Sequence, residues 1–338
     1  MKDCVDLILK WYLENKRDFL WRKDKDPYHV WISEIMLQQT RIEAVLDYYS
    51  RFMERIPTIK DLSEISEDEL LKLWEGLGYY SRARNLKKAA CKIMAEYDGV
   101  FPNKYSDILS LPGIGEYTAG AISSICFNDK QVAIDGNVMR VYCRVTNSDL
   151  DVSDLKVKKM IGEEIKKVLP IESGDFNQGI MELGEVICIP NGNPKCEECP
   201  LKYHCRAYLN HRETLIPRKI DKKEKIEEEY TLFLLKCGDQ FAVRKRESGL
   251  LKNMWEFPNQ EGFLTYSEVN DLFPNNKGIQ LSITNTHIFT HKKWFMNSYF
   301  IEVNEEYPKY EWYTLEEIEK SLALPSAFTP FLEFLKQK

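Results

Sequence analysis

Hydrophobic spacing divides this chain into a mainly α-helical N-terminal domain and a smaller α+β domain behind it. Three features support the division. Apolar residues recur at helical spacing through residues 1–210, a nearly all-charged run follows, and beyond it the period shortens to that of strands. The length of 338 residues suits two domains at roughly 100–200 residues each.

Val5, Ile8, Leu9, Tyr12 and Leu13 share one helical face, as do Ile35, Ile42, Val45, Leu46 and Tyr49. Ser66 with Glu69 forms a capping-box pattern that opens a helix through Leu70, Leu71 and Leu73. Gly76 and Gly78 punctuate its end, and a further helix over Arg84–Tyr97 stops at Asp98-Gly99. Residues 212–229 contain the charge run Lys219–Glu229, which has no apolar face and reads as a solvated linker. Tyr230–Lys236 and Gln240–Lys245 flank Gly238-Asp239 as a hairpin, and Ile279–Phe289 and Trp294–Val303 are further strands. Thr314–Lys320 and Ala327–Leu335 return to helix, and no internal repeat is present.

Hydrophobic residues at 43% and charged residues at 30% exclude a mainly disordered chain. No apolar run approaches the roughly 20 residues of a membrane helix. The start Met1-Lys2-Asp3-Cys4 has no signal-peptide pattern, so a cytoplasmic, nucleoid-associated location is expected. The net charge is −6, and residues 1–210 alone hold 29 Lys+Arg against 33 Asp+Glu. A nucleic-acid site would therefore have to come from local clustering of cations. Arg17, Trp21, Arg22, Lys23, Lys25 and Tyr28 form one cluster of cations and rings; Tyr79, Tyr80, Arg82, Arg84, Lys87 and Lys88 form another. A solvated helix face is the plainer explanation of each.

Four features carry chemistry. Cys188, Cys196, Cys199 and Cys205 have the spacing C-x7-C-x2-C-x5-C among Gly and Pro, which suits one tetrahedral zinc or one [4Fe–4S] cluster. The other five cysteines read as small buried hydrophobes. Leu111-Pro112-Gly113-Ile114-Gly115 lies between helical stretches, and Gly113 and Gly115 allow a turn with exposed N–H groups, either a phosphate site or an ordinary helix corner. Asp135 stands between an apolar run and Gly136, as a reactive carboxylate or a helix N-cap. Glu34 is a lone acid in an apolar helical start, either a first-turn glutamate or a proton donor with a raised pKa.

Taken together and in this order, the segments Trp31–Thr40, Gly76–Leu86, Leu111–Ala121, Ile134–Val141 and the four-cysteine loop resemble the adenine DNA glycosylases of the MutY type, in the helix–hairpin–helix superfamily. The resemblance is close over residues 1–210 and looser beyond. It implies a two-lobed helix–hairpin–helix domain over 1–211, with a [4Fe–4S] cluster on its 188–205 loop. Lys195, Lys202 and Arg206 of that loop would reach phosphates. Residues 230–338 would form a Nudix-like domain that reads 8-oxoguanine; they lack the Gly-x5-Glu-x7-Arg-Glu-x2-Glu-Glu box of Nudix hydrolases.

The implied reaction is hydrolysis of the glycosidic bond of adenine opposite 8-oxoguanine or guanine in double-stranded DNA, by a monomer. Glu34 would protonate the base and Asp135 would face the sugar cation, supported by Tyr117 and Asn137. Trp21, Arg22 and Glu182 would line the pocket of the flipped adenine. Gln39, Leu77 and Tyr79 would probe the opposite base and fill the duplex gap, with Phe289, Thr290 and His291 beside it. Gly113, Gly115, Arg82 and Arg84 would hold the DNA backbone. Related glycosylase/lyases of the endonuclease III type place a Schiff-base lysine where this chain has Tyr117; a phenol cannot form an imine, so a monofunctional enzyme is expected. Three departures stand out: seven residues rather than six between Cys188 and Cys196, Leu20 in place of proline before Trp21, and Phe289-Thr290-His291 in place of Phe-Ser-His. A lyase, another mismatch glycosylase, and a non-catalytic iron–sulfur DNA-binding protein are the competing readings.

Overall fold

The computed structural model describes residues 1–218 and 224–338, so the centre of the expected linker, residues 219–223, lies outside the described residues. The chain forms two compact units: Met1–Glu64 with Asn85–Asp221, and Ile65–Arg84 with Lys222–Lys338.

The described part of the first unit is helical throughout. Its N-terminal helix, Val5–Asn15, packs on the late helix Ser173–Val186 because Gly179 lets Ile8 and Tyr12 come close; a Cβ there would stand 3.0 Å from both. Ile8 joins Val138 and Val141 of the helix Gly136–Thr146, and Phe176, Ile180 and Leu183 of the late helix, in one buried cluster. The helix Glu116–Phe127 is buried from Thr118 to Ile125 and follows the glycine turn directly. Within that turn Gly113 has φ +78, and a Cβ would meet Asn85 Cβ at 2.5 Å, so glycine is required twice over. The helix Ser81–Glu96 ends where Asp98 and Gly99 both turn left-handed, as their sequence suggests.

The second unit is built on a mixed sheet of β1 (Ile226–Cys237), β2 (Gln240–Lys245), β3 (Trp255–Glu256), β4 (Asn259–Glu261), β5 (Asn276–Ile288), β6 (Lys292–Val303) and β7 (Glu311–Thr314). The order β3-β2-β1-β6-β5 places β1 parallel to β6, with β4 also on β1 and β7 also on β2. Alternation along β1 sends Tyr230, Leu232 and Leu234 to one core, with Phe328 and Phe331, and Phe233 and Leu235 to another, with Val269 and Phe273. Helices thus cover both faces of the sheet. Thr265 and Thr314 open two of them with full capping boxes.

Two boundaries differ from the sequence expectation. β1 begins at Ile226, inside the expected linker, because Glu227 pairs with Lys293 and Glu228 with Lys292 and Trp294 on the neighbouring strand. The helix Glu67–Leu73, capped by Ser66, lies in the second unit, not with the rest of residues 1–211. It is held there by Lys245 on Asp68 at 2.9 Å, Asn253 on Glu67 at 3.0 Å and the Leu324 N–H on Glu75 at 2.8 Å.

Candidate active site

Four helices of the first unit surround a cavity of about 510 Å³. Pro27–Met36 contributes Glu34, Glu116–Phe127 contributes Tyr117, Gly136–Thr146 with its cap contributes Asp135 and Asn137, and Ser173–Val186 contributes Met181 and Glu182. Trp21 and Arg22 complete the wall. All seven side chains expected at the base and the sugar therefore line one space.

Glu34 stands in the last turn of its helix, not the first. Leu37–Thr40 turns away, with Gln39 at φ +56, so the apolar pattern that reads as a helical start is a helical end. The negative end of the helix dipole there disfavours a carboxylate. Burial does so more strongly and pushes Glu34 up to about 7; the Tyr117 hydroxyl and Arg22 pull the other way, and Asp135 adds to the rise. Glu34 Oε2 is buried without a hydrogen-bond partner, and the residue lies on the cavity wall.

Asp135 is a helix N-cap, and that role leaves it on the cavity wall. Its side chain caps the helix by accepting from the Val138 N–H at 2.8 Å, and it also faces the cavity. Asn137 Nδ2 donates to its other oxygen at 2.8 Å. Burial raises the Asp135 pKa, opposed by these two bonds and by Arg140. Tyr117 is held neutral, its pKa raised by burial and by the charges of Glu34 and Asp135.

The opposite wall is a charge network. Glu182, with 1% of its side chain exposed, accepts from Arg17 Nε at 2.8 Å and from Arg22 Nη1 at 2.6 Å. Both guanidiniums lie over the Phe19 ring, and Phe19 stacks on Trp21 at 4.8 Å. Arg17 and Tyr12 were absent from the expected site residues, although both line the cavity. Arg17 sits in the cluster of cations and rings read from sequence, and its link to Glu182, 165 residues away, was the missing signal.

Behind this site, Arg140 donates to Asn137 Oδ1, Gly184 O and Cys188 O, each at 2.7 Å. Cys188, Cys196, Cys199 and Cys205 line one small void of about 20 Å³ together with Arg144 and Glu213. Arg144 Nη1 lies 3.2 Å from Cys188 Sγ. Burial raises the thiols of Cys196 and Cys199, and the neighbouring cysteines add to it. Among the described residues, no group of three or more His, Cys, Asp or Glu closes to the geometry of a single metal ion. Gly113 and Gly115 are exposed at the turn before the Glu116 helix.

In the second unit, Leu77, Tyr79, Arg84, Phe289, Thr290 and His291 line a cavity of about 550 Å³. The hydroxyls of Tyr79 and Thr290 are hydrogen-bonded to one another. Tyr79 is 39% exposed and has φ +48, whereas Leu77 is buried at the wall of that cavity. Gln39 lines neither cavity. Arg82 departs from its expected place on the DNA backbone: it is buried, and Nη2 donates to the carbonyls of Leu77 and Gly78. Arg84 Nη1 donates to Lys252 O at an exposed position.

Comparison with known proteins agrees with this geometry. Residues 32–170 match the model of the HhH-GPD superfamily of base excision DNA repair proteins, and residues 230–334 match that of the NUDIX domain. An adenine DNA glycosylase of Buchnera aphidicola (subspecies Baizongia pistaciae) is 36% identical over 98% of this chain and 96% of its own length. The Homo sapiens adenine DNA glycosylase is 36% identical over 75% of this chain and 56% of its own. A thermostable thymine-DNA glycosylase of known structure is 31% identical with a TM-score of 0.57, covering 62% of this chain and 96% of that one. Among the described residues no helix is long and apolar enough to cross a membrane. With a near-full-length relative and both domain models in place, the chain belongs to the adenine DNA glycosylase family.

Proposed function

We propose that the chain hydrolyses the N-glycosidic bond of adenine mispaired with 8-oxoguanine or guanine in double-stranded DNA, as a monomer, and leaves an abasic site. The observation that carries this reading is Glu34: a carboxyl held up to about 7, with a buried unpartnered oxygen, in the same cavity as Asp135. Glu34 gives its proton to a ring nitrogen of adenine. The C1′–N bond breaks, its electron pair leaves with the base, and a sugar cation remains. The Asp135 carboxylate, fixed by Asn137 and the Val138 N–H, stabilises that cation until water adds to C1′ and gives up a proton, which restores the acid form of Glu34. Tyr117 orients Glu34, and its phenol supplies no amine for an imine, so the strand is left intact. Trp21 stacks on the extruded base while Arg22 and Glu182 meet its polar edge.

Gln39, Leu77 and Tyr79 probe the opposite base and fill the duplex gap; Phe289, Thr290 and His291, which share a cavity with Leu77 and Tyr79, supply the contact to 8-oxoguanine. Gly113, Gly115 and Arg84 hold phosphates. The four cysteines would hold a [4Fe–4S] cluster: they are four soft thiol donors on the wall of one void. When bound, the cluster supplies a cross-link that fixes the loop carrying Lys195, Lys202 and Arg206.

The test is single-turnover release of adenine from a duplex holding adenine opposite 8-oxoguanine. Glu34→Gln is expected to abolish release while duplex binding persists. Unchanged turnover, or strand scission without alkali together with a borohydride-trapped adduct, would overturn the proposal.

A further inference from the structure

Arg82 does not face solvent, and its surroundings explain why an arginine stands there. Its guanidinium lies between the rings of Trp74, at 5.4 Å, and Tyr79, at 5.6 Å. Nη2 donates to Leu77 O at 3.0 Å and to Gly78 O at 3.1 Å, and Trp74 Nε1 donates to the same Gly78 carbonyl at 3.1 Å. The segment so gripped is strained. Gly76 has φ +96 and Gly78 has φ +69, positions suited to glycine, but Tyr79 at φ +48 is an aromatic residue in the left-handed region. Such a conformation persists only where its surroundings determine it. Only a planar cation with several donors can stack between two rings and bond two successive carbonyls at once. Lysine offers one compact charge and no plane.

We infer that Arg82 is a positioning residue, an internal template that holds the Leu77–Tyr79 turn in its strained form and keeps the Tyr79 ring presented. This rests on the reading above that Tyr79 meets the mispair. A pre-shaped turn spares the ordering that a floppy one would undergo on binding, so the template acts on discrimination between duplexes, not on charge attraction to DNA.

The experiment compares the full chain with Arg82→Lys, Arg82→Met and Tyr79→Ala. The probe is a duplex carrying a 2′-fluorinated adenine nucleotide opposite 8-oxoguanine, with a fully matched duplex as control. Both Arg82 variants are expected to lower the ratio of mispair to matched affinity by about tenfold, in the same direction as Tyr79→Ala. Their dependence on salt stays that of the parent. An arginine that contacts phosphate would instead weaken both duplexes alike and reduce the salt slope by about one; that result rejects the inference.

Amide hydrogen exchange without DNA supplies a second readout. Exchange at residues 76–80 is expected to accelerate in Arg82→Met, and unchanged exchange also rejects the inference. Should Tyr79→Ala leave the ratio intact, the reading of Tyr79 fails, and exchange alone decides the role of Arg82. Trp74→Phe keeps a ring and removes one bond to Gly78. It is expected to show a smaller loss of the same kind, even where an Arg82 variant fails to fold.

Discussion

If Glu34 is the proton donor proposed above, one proton links stability to catalysis. Its pKa rises from 4.5 unfolded to about 7 folded, so the folded protein holds this proton more tightly than the unfolded chain. The stability tied to Glu34 is fully present below pH 4.5 and is lost as pH rises through about 7. The loss is at most about 3 kcal/mol. Glu34→Gln carries no such proton, so its thermal midpoint relative to the parent should rise between pH 5 and pH 8, as calorimetry at the two values would show. A constant difference would mean that Glu34 does not titrate on folding. Adenine release in the parent should fall on the alkaline side with a midpoint near 7, because the acid form is the donor. Tyr117→Phe removes a bond that lowers this pKa, so its alkaline limb should move to higher pH in a rate profile. The apolar and glycine-flanked settings singled out both acids but left their roles open, and only the family resemblance chose between the alternatives. What the sequence hid was the place of Glu34 in its helix, because the Leu37–Thr40 turn contains no glycine or proline to mark it.

The position of Asp135 depends on how closely two helices approach the irregular stretch that leads to it. Gly120, in the helix that carries Tyr117, lies against the Val132 carbonyl, and a Cβ there would stand 2.0 Å from its oxygen. Asn177, fully buried in the late helix, donates to Gln131 O at 2.8 Å and to Ser124 Oγ at 2.9 Å, and accepts from the Ala133 N–H at 3.3 Å. The stretch 131–133 is thus clamped just before the cap. Gly120→Ala must push it away. A loss of about 1–3 kcal/mol is expected from overpacking of this kind, together with slower adenine release, since Asp135 moves with the stretch. Chemical denaturation and single-turnover kinetics on the same sample check both. Helices of this kind were readable from spacing, and so was the turn at Gly113. The strand start at Ile226 was not, because Glu227 and Glu228 look solvated until Lys292 and Lys293, more than 60 residues on, are known to pair with them.

Sequence order and compactness disagree over residues 65–84, and this bears on how the C-terminal domain contributes. Composition and period set residues 230–338 apart in the sequence, and the seven-stranded sheet with its two cores lies within residues 226–338. Neither signal could show that an early helix and the turn bearing Tyr79 pack with them, because the contacts join residues far apart in sequence, among them Lys245 with Asp68, Asn253 with Glu67, Lys72 with Leu322 O, and Tyr79 with Thr290. Removing residues 224–338 would strip that helix and turn of all these partners at once. The truncated chain should therefore lose adenine release opposite guanine as well as opposite 8-oxoguanine. A single substitution separates recognition from this structural loss. Thr290→Val keeps the shape of the side chain and removes the hydroxyl that meets Tyr79. It is expected to lower release opposite 8-oxoguanine by about five- to tenfold more than opposite guanine, the scale of one hydrogen bond. The measurement is the ratio of the two single-turnover rates in the full chain. Equal losses on both duplexes would place the contact to 8-oxoguanine elsewhere than Phe289–His291.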